Sequence, residues 1–243
     1  MNPSLVNVTL PVFNEAAQLA ESVDRLLAFL CEHGRFTYEV VIADNGSTDQ
    51  TRAVAEEVRE RRPEVRVVHL PEQGRGRALK QVWTESRADI LSYMDIDLST
   101  DLEAFPRLIE PLASGEYDVA TGSRLLPLSQ TTRCWKRETI SRCYNRLLKA
   151  CFHTRFTDAG CGFKALTQQA ARELLPRLED PGFFFDAELL VWAERSGYRV
   201  LDLPVRWVED PDSRVRLLQA AWENLGGMLR LRRNLVRDQV RGR

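Results

Sequence analysis

The sequence has 243 residues, 44% hydrophobic and 28% charged, enough for one large domain or two small ones with a substantial core. Lys and Arg (34) balance Asp and Glu (35) for a formal net charge of −1, which argues against a nucleic-acid partner, since such proteins carry a basic excess. No apolar run approaches the roughly 20 residues of a membrane span, Met1 to Val12 lacks the regions of a secretory signal, and five scattered cysteines with three dispersed histidines point to reduced thiols in a cytoplasm and to no zinc site.

Leu5–Leu10 reads as a strand that Pro11 stops, and Glu15–Cys31 carries Leu19, Val23, Leu26, Leu27 and Leu30 at helical spacing. Tyr38–Ala43 is a second strand. Asp44-Asn45-Gly46-Ser47-Thr48-Asp49 is then a loop in which Ser47 or Thr48 can cap a helix over Thr51–Arg61, ended by Pro63. Val65–Leu70 is a third strand, leading through Gly74-Arg75-Gly76 into a helix over Arg77–Arg87. Ile90–Met94 is a fourth, followed by Asp95-Ile96-Asp97 and a helix over Leu102–Ala113, and Tyr117–Thr121 is a fifth. Such alternation implies an α/β fold with a mostly parallel sheet, helices on both faces, and ligands at the carboxyl ends of the strands.

After Arg124 the pattern changes. Ser129–Lys136 is polar and reads as a loop or lid, Glu138–Phe152 as a helix, Phe163–Ala165 as a short strand, Phe185–Ser196 as a helix and Arg199–Trp207 as a last strand. Arg214–Arg243 is a basic amphipathic helix with eight arginines against Glu223 and Asp238, and Leu217, Leu218, Ala221, Trp222, Leu225, Met228 and Leu229 at helical spacing. Gly226-Gly227 predicts a break or bend. Arginines opposite an apolar face suit a membrane interface; a helix packed on the domain has the same pattern.

Asp95 and Asp97 follow an apolar strand two residues apart, a spacing that suits Mg2+ or Mn2+ completed by phosphate oxygens and water, or plain solvated acids at a strand end. Asp44 can accept hydrogen bonds from a ribose or base; an Asx turn explains its loop as well. Gly74, Gly76 and Lys80 make a glycine-bearing turn with cations that can meet phosphate, a weak motif alone. Arg124, Arg133, Lys136 and Arg137 are cations suited to an anionic ligand, with a solvated charged loop as the alternative for the last three. Asp158 can orient an acceptor, act as a base, or cap the turn at Gly160 and Gly162.

Taken together and in order, Pro11-Val12-Phe13-Asn14-Glu15, Asp44 to Asp49, Gly74 to Leu79 and Asp95-Ile96-Asp97 resemble the family 2 glycosyltransferases of GT-A (Rossmann-like) fold over about Val6 to Arg124. Gly122-Ser123-Arg124, Asp158 to Lys164, Phe185 to Leu190, Pro204 to Trp207 and Asp212-Ser213-Arg214 look like the polyprenyl-phosphate sugar synthases, closer to their glucosyl branch. The resemblance implies nucleotide binding by Pro11, Phe13, Asn14, Glu15, Asp44, Gly74, Gly76, Lys80 and Asp95, and a divalent metal on Asp95 and Asp97. It also implies chemistry by Asp97, Arg124 and Asp158, and acceptor-phosphate binding by Arg124, Arg133, Lys136 and Arg137. The organisation it implies is a glycosyltransferase domain over 1–210, with a nucleotide-sugar half to about 124 and an acceptor half over 125–210, and a basic helix over 211–243.

The expected activity is inverting, metal-dependent transfer of a hexose from a UDP-glucose or GDP-mannose type donor to a polyprenyl phosphate. The site of action would be the cytoplasmic membrane face, with peripheral contact through the C-terminal helix and an integral membrane partner allowed for. A soluble glycan or small-molecule acceptor, or a non-catalytic nucleotide-sugar-binding protein, are the alternatives.

Overall fold

The computed structural model describes residues 4–33, 35–209 and 217–241. Its centre is a seven-stranded sheet built from β1 (Leu5–Val12), β2 (Thr37–Asn45), β3 (Val65–Leu70), β4 (Ile90–Met94), β5 (Val119–Ser123), β7 (Phe163–Thr167) and β8 (Val200–Pro204), in the order β3-β2-β1-β4-β7-β5-β8. β1 and β4 are buried along almost their whole length, as strands covered on both faces require. The polar Asn7 inside β1 is paired: its Nδ2 donates to Glu39 at 2.9 Å and its Oδ1 accepts from Thr9 at 2.7 Å.

Helices α1 (Leu19–Glu32), α2 (Thr51–Arg61) and α4 (Phe105–Ala113) cover one face through Leu19, Leu26, Val58, Leu108 and their neighbours. Helices α3 (Arg75–Glu85), α5 (Trp135–Phe152), α6 (Gln168–Leu174), α7 (Phe185–Arg195) and α8 (Leu217–Arg241) cover the other, through Leu79, Leu148, Leu174, Leu189 and Leu231 among others.

One strand runs against the rest. β7 is antiparallel to both β4 and β5, with Met94 opposite Phe163 and Thr121 opposite Lys164. An antiparallel strand begins where its parallel neighbours end. The segment Asp158 to Gly162 therefore enters the sheet beside the carboxyl ends of β4 and β5, where Asp95 and Arg124 leave it.

Several expectations are corrected. The first helix begins at Leu19, not Glu15, because the preceding residues form a loop: Asn14 has φ 57° and the Glu15 amide donates to Thr51 Oγ1 at 2.7 Å. The predicted last strand is two, β8 and β9 (Arg206–Val208), separated at Val205. β9 leaves the main sheet to pair in parallel with β6 (Gln130–Thr132), so part of the predicted lid loop is a strand. α6 carries no strong periodic signal and is missing from the expected elements.

The C-terminal helix runs through Gly226-Gly227 without a break. A Cβ at Gly227 would lie 2.4 Å from the Phe184 ring, so this glycine lets the helix approach Phe184 closely. Two helical glycines cost about 1 kcal/mol each; burying Met228, Leu231 and Leu235 on the domain, at about 1.5–3 kcal/mol per side chain, outweighs that. Asp212-Ser213-Arg214, the boundary near 211 and the side chains of Leu217, Leu218 and Ala221 lie outside the described residues. Among the described residues no helix is long and apolar enough to cross a membrane.

Candidate active site

The loops after β1, β2 and β3 interlock. The Asn14 amide donates to Ser47 Oγ at 3.0 Å, and Asn14 Oδ1 accepts from the amides of Thr48 and Asp49 at 2.8 and 3.3 Å. Asn14 can hold its positive φ because its short polar side chain bonds locally. Asn45 Nδ2 donates to the Val12 carbonyl at 2.6 Å, and Asn45 Oδ1 accepts from the Gly74 amide at 3.1 Å. Asp44, almost fully buried, accepts from the Ser47 amide at 3.0 Å and meets His69 at 2.9 Å. Pro11 is buried within β1, opposite Ala43, and Phe13 is half-buried where β1 ends.

Gly74 and Gly76 lie against the segment that leads into α7. A Cβ at Gly74 would lie 2.6 Å from the Pro181 carbonyl oxygen, and one at Gly76 2.6 Å from that of Asp180. The glycines therefore admit the segment before α7. Lys80 is committed to the same segment, its Nζ donating to the Leu178 carbonyl at 2.6 Å. Arg75, between the two glycines, bonds both Asp95, at 3.3 Å, and Asp186, and lies 4.7 Å from the Phe183 ring centroid.

Asp95 is seated on glycine: its amide donates to the Gly162 carbonyl at 3.1 Å, and a Cβ at Gly162 would come within 1.8 Å of its Oδ2. Only glycine fits there. Although 42% of the Asp95 side chain is exposed, burial of its carboxyl raises its pKa to about 6, with Arg75 opposing the rise and Asp97 and Asp186 adding to it. Asp97 Oδ1 accepts from the Ser99 amide at 2.9 Å, which fixes the turn after β4.

The Asp97 charge adds to the raised energy of the Asp95 carboxylate, an arrangement that suits a divalent cation. No third His, Cys, Asp or Glu joins them among the described residues, so the protein offers the one- or two-carboxylate donor set typical of a Mg2+ or Mn2+ whose shell is completed by phosphates and water.

Behind Asp95 lies a buried polar cluster. Asp186, in the first turn of α7, is contacted by Arg75 and by the Tyr93 hydroxyl, with Lys164 Nζ at 3.5 Å. Lys164, fully buried, also donates to the carbonyls of Ala159 and Cys161 at 3.0 and 2.5 Å. Burial and the Asp186 charge together push the Tyr93 hydroxyl well above its usual range, so Tyr93 remains a neutral donor. The sequence signal for Asp186 was an acid directly after the apolar run Phe183-Phe184-Phe185, too short to assign a role.

On the other side, Arg124 grips the fully buried Asp158 through Nε at 2.7 Å and Nη2 at 3.0 Å, and its own amide donates to Asp158 at 3.1 Å. Burial alone would raise the Asp158 pKa, but the charge and hydrogen bonds of Arg124 hold it below the usual carboxylate range. Its Oδ1 also accepts from the Gly160 amide at 3.2 Å. Asp158 is thus an ionised anchor for Arg124 and the turn.

Arg133 is less fully paired. Its Nε and Nη2 are buried without a hydrogen-bond partner, and burial and the nearby Arg124 charge lower its pKa. Lys136 lies instead at the surface, 5.8 Å from the Trp135 ring, and Arg137 pairs with Glu209 at 3.1 Å.

The sequence profile of glycosyl transferase family 2 matches residues 7–175, a stretch that takes in every strand end just described except those of β8 and β9. The chain belongs to this family. Glycosyltransferase AglD of Haloferax volcanii is 37% identical over 219 residues, which are 88% of this chain and 35% of AglD. The chain therefore spans about a third of that relative. A dolichyl-phosphate beta-glucosyltransferase of Drosophila melanogaster is 31% identical over 229 residues, covering 88% of this chain and 70% of its own length. The fold also matches glucosyl-3-phosphoglycerate synthase from Mycobacterium tuberculosis in complex with uridine diphosphate, with a TM-score of 0.70 at 23% identity over 94% of this chain and 80% of that one. The architecture is GT-A.

Proposed function

We propose that this chain is an inverting, metal-dependent hexosyltransferase that moves a sugar from a UDP-glucose or GDP-mannose type donor to a polyprenyl phosphate at the cytoplasmic membrane face. The observation that carries the acceptor reading is Arg133: a half-buried side chain near Arg124 whose guanidinium Nε and Nη2 are buried without a hydrogen-bond partner. Desolvated cations without partners are costly, and a dianionic phosphate satisfies two guanidinium forks at once. Such a phosphate, with a second pKa near ~6, is a nucleophile at neutral pH that needs orientation rather than a general base. Arg124, held from behind by Asp158, and Arg133 would orient it toward the anomeric carbon. Lys136 and Arg137 would add field from the rim.

Asp95 and Asp97 would hold Mg2+ or Mn2+, which when bound offsets the charge of the departing nucleoside diphosphate. The loops from Pro11 to Glu15 and around Asp44 would bind the nucleoside. On this reading residues to about 124 serve the donor and 125–210 the acceptor. Peripheral membrane contact is supported by α8, whose outward side exposes Trp222 (75%), Leu229 (68%) and Val236 (55%) next to Arg232 and Arg233. The homologous dolichyl-phosphate beta-glucosyltransferases favour a lipid acceptor.

The test supplies radiolabelled UDP-glucose and GDP-mannose, Mn2+ and polyprenyl-phosphate vesicles, then extracts with organic solvent. Label in the lipid phase from one donor, lost with Arg133→Ala, is the expected result. Label confined to the aqueous phase overturns the lipid acceptor.

A further inference from the structure

Behind Asp44 stands a residue that the donor reading leaves without a role. His69 lies on β3 directly opposite Asp44 on β2. Its Nδ1 is 2.9 Å from Asp44 Oδ2, and its Nε2 is 2.9 Å from Glu56 Oε1 on α2. The exposure falls inward along this chain: 36% of the Glu56 side chain, 20% of His69 and 4% of Asp44. A carboxylate oxygen stands at each ring nitrogen, so the imidazole bridges Asp44 on β2 to Glu56 on α2. Glu56 is in turn bonded by Arg59 at 2.7 Å, and the hydrogen bond from His69, then the Arg59 charge, hold its pKa below the usual carboxylate range.

Asp44 is thereby fixed on both oxygens, Oδ1 by the Ser47 amide and Oδ2 by His69. A carboxylate so held cannot rotate, and it presents an acceptor only. We infer that His69 is a positioning residue for nucleoside recognition. Held by Glu56 on its far side, it keeps Asp44 aligned to accept a hydrogen bond from the nucleoside of the donor. This rests on the reading of Asp44 as a nucleoside ligand. The partner chemistry is a nucleoside diphosphate offering an N–H or O–H donor, such as the imide N–H of uracil or guanine. The reach to α2 matters because His69 is the group that meets Asp44 Oδ2, while the Ser47 amide meets Oδ1, so removing the imidazole strips a hydrogen bond from a buried oxygen.

The experiment uses the full chain and measures binding of UDP and of GDP with Mn2+ by calorimetry, donor KM and kcat, and melting without ligand. The variants are His69→Ala, His69→Asn, His69→Gln and Asp44→Asn. The amide nitrogen of Asn occupies the place of Nδ1, facing Asp44, whereas that of Gln occupies the place of Nε2, facing Glu56. Expected are about tenfold weaker nucleotide binding for His69→Ala and His69→Gln, a donor KM raised in step with that loss while kcat stays within about twofold of wild type, and recovery to within about threefold of wild type in His69→Asn.

Equal weakening in all three His69 variants reduces the residue to packing and overturns the inference, as does wild-type binding in His69→Ala and His69→Gln while Asp44→Asn is weak. Unchanged binding in Asp44→Asn, or no binding of either nucleotide by the wild-type chain, overturns the reading of Asp44 itself. If His69→Ala does not fold, the contrast between Asn and Gln decides.

Discussion

The two flanks of the Asp95–Asp97 turn are finished differently. On the β1–β2 side, Asn14, Asp44 and Asn45 have their polar groups tied to neighbouring loops, with distances from 2.6 to 3.3 Å. On the β5–β6 side, Arg124 is locked to Asp158 while Arg133 keeps two buried nitrogens without partners. The first arrangement is preorganised: its geometry exists before any ligand arrives, so a ligand there spends little on ordering it. The second leaves hydrogen-bonding capacity unused: the charges of Asp158 and Glu138 act on Arg133, but its buried Nε and Nη2 have no acceptor. A donor bound in a rigid cradle and an acceptor drawn to an unpaired cation are the natural readings of that contrast.

The contrast breaks most sharply at the turn between the flanks. Asp97→Ala is expected to lower turnover by about 10³-fold, several kcal/mol of lost metal-assisted stabilisation, with melting in chelator near that of wild type; radiolabel transfer and a thermal melt check both. Retained activity would remove the turn from the chemistry.

Next in size, Arg124→Ala should destabilise the fold by about 3–5 kcal/mol, because Asp158 is left buried and unpaired. Arg133→Ala should leave the melting temperature unchanged or higher, having removed an unsatisfied buried cation, while raising the acceptor KM at least about tenfold. Urea titration and acceptor kinetics separate the two, and equal destabilisation by both would erase the distinction between anchored and unmet arginine.

On the donor side, Asn14→Ala should cost about 1–3 kcal/mol of stability. It strips the acceptor from the Thr48 and Asp49 amides and puts alanine at φ 57°. Nucleotide affinity should fall with it, since cradle and fold are one network here. Stability unchanged in this variant would mean the cradle is not preorganised by Asn14.

The smallest effect is a pH dependence. The Asp95 pKa is raised to about 6 in the folded chain, so proton binding there favours the fold. That contribution is fully present below its ordinary value near ~4 and is lost as pH rises through about 6. Asp95→Asn should therefore melt slightly higher than wild type at pH 7.5 in chelator, the gain vanishing below about pH 4. In wild type, Mn2+ affinity should weaken as pH falls through about 6, because proton and metal compete for one carboxylate. A metal affinity flat across that range would remove Asp95 from the metal site.

Much of this was legible in the chain. Five strands and the acids and glycines at their ends follow from short apolar runs that each stop at a polar loop, since burial on both faces demands that pattern. The Thr51–Arg61 helix and Val65–Leu70 strand fall where periodicity placed them. The Gly226-Gly227 break did not appear, because helix propensity is a local quantity and the contact with Phe184 is not. Arg199–Trp207 looked like one strand because alternation cannot say which partner each half pairs with.

The sequence by itself determined the family, the strand-end acids and the excess of arginine after Arg124, for these depend on residue type and order. The tertiary structure alone decided which charges meet. Asp158 reaches Arg124 because β7 enters antiparallel. Asp186 reaches Arg75 across 111 positions of sequence, and His69 reaches Asp44 through strand register. Gly74, Gly76 and Lys80, read from the sequence as phosphate ligands, also meet the 178–181 segment, a contact that spacing along the chain does not show. Pairing of buried charges is settled by long-range packing, and desolvation makes each pairing too costly to leave to chance, yet spacing along the chain carries almost no trace of it.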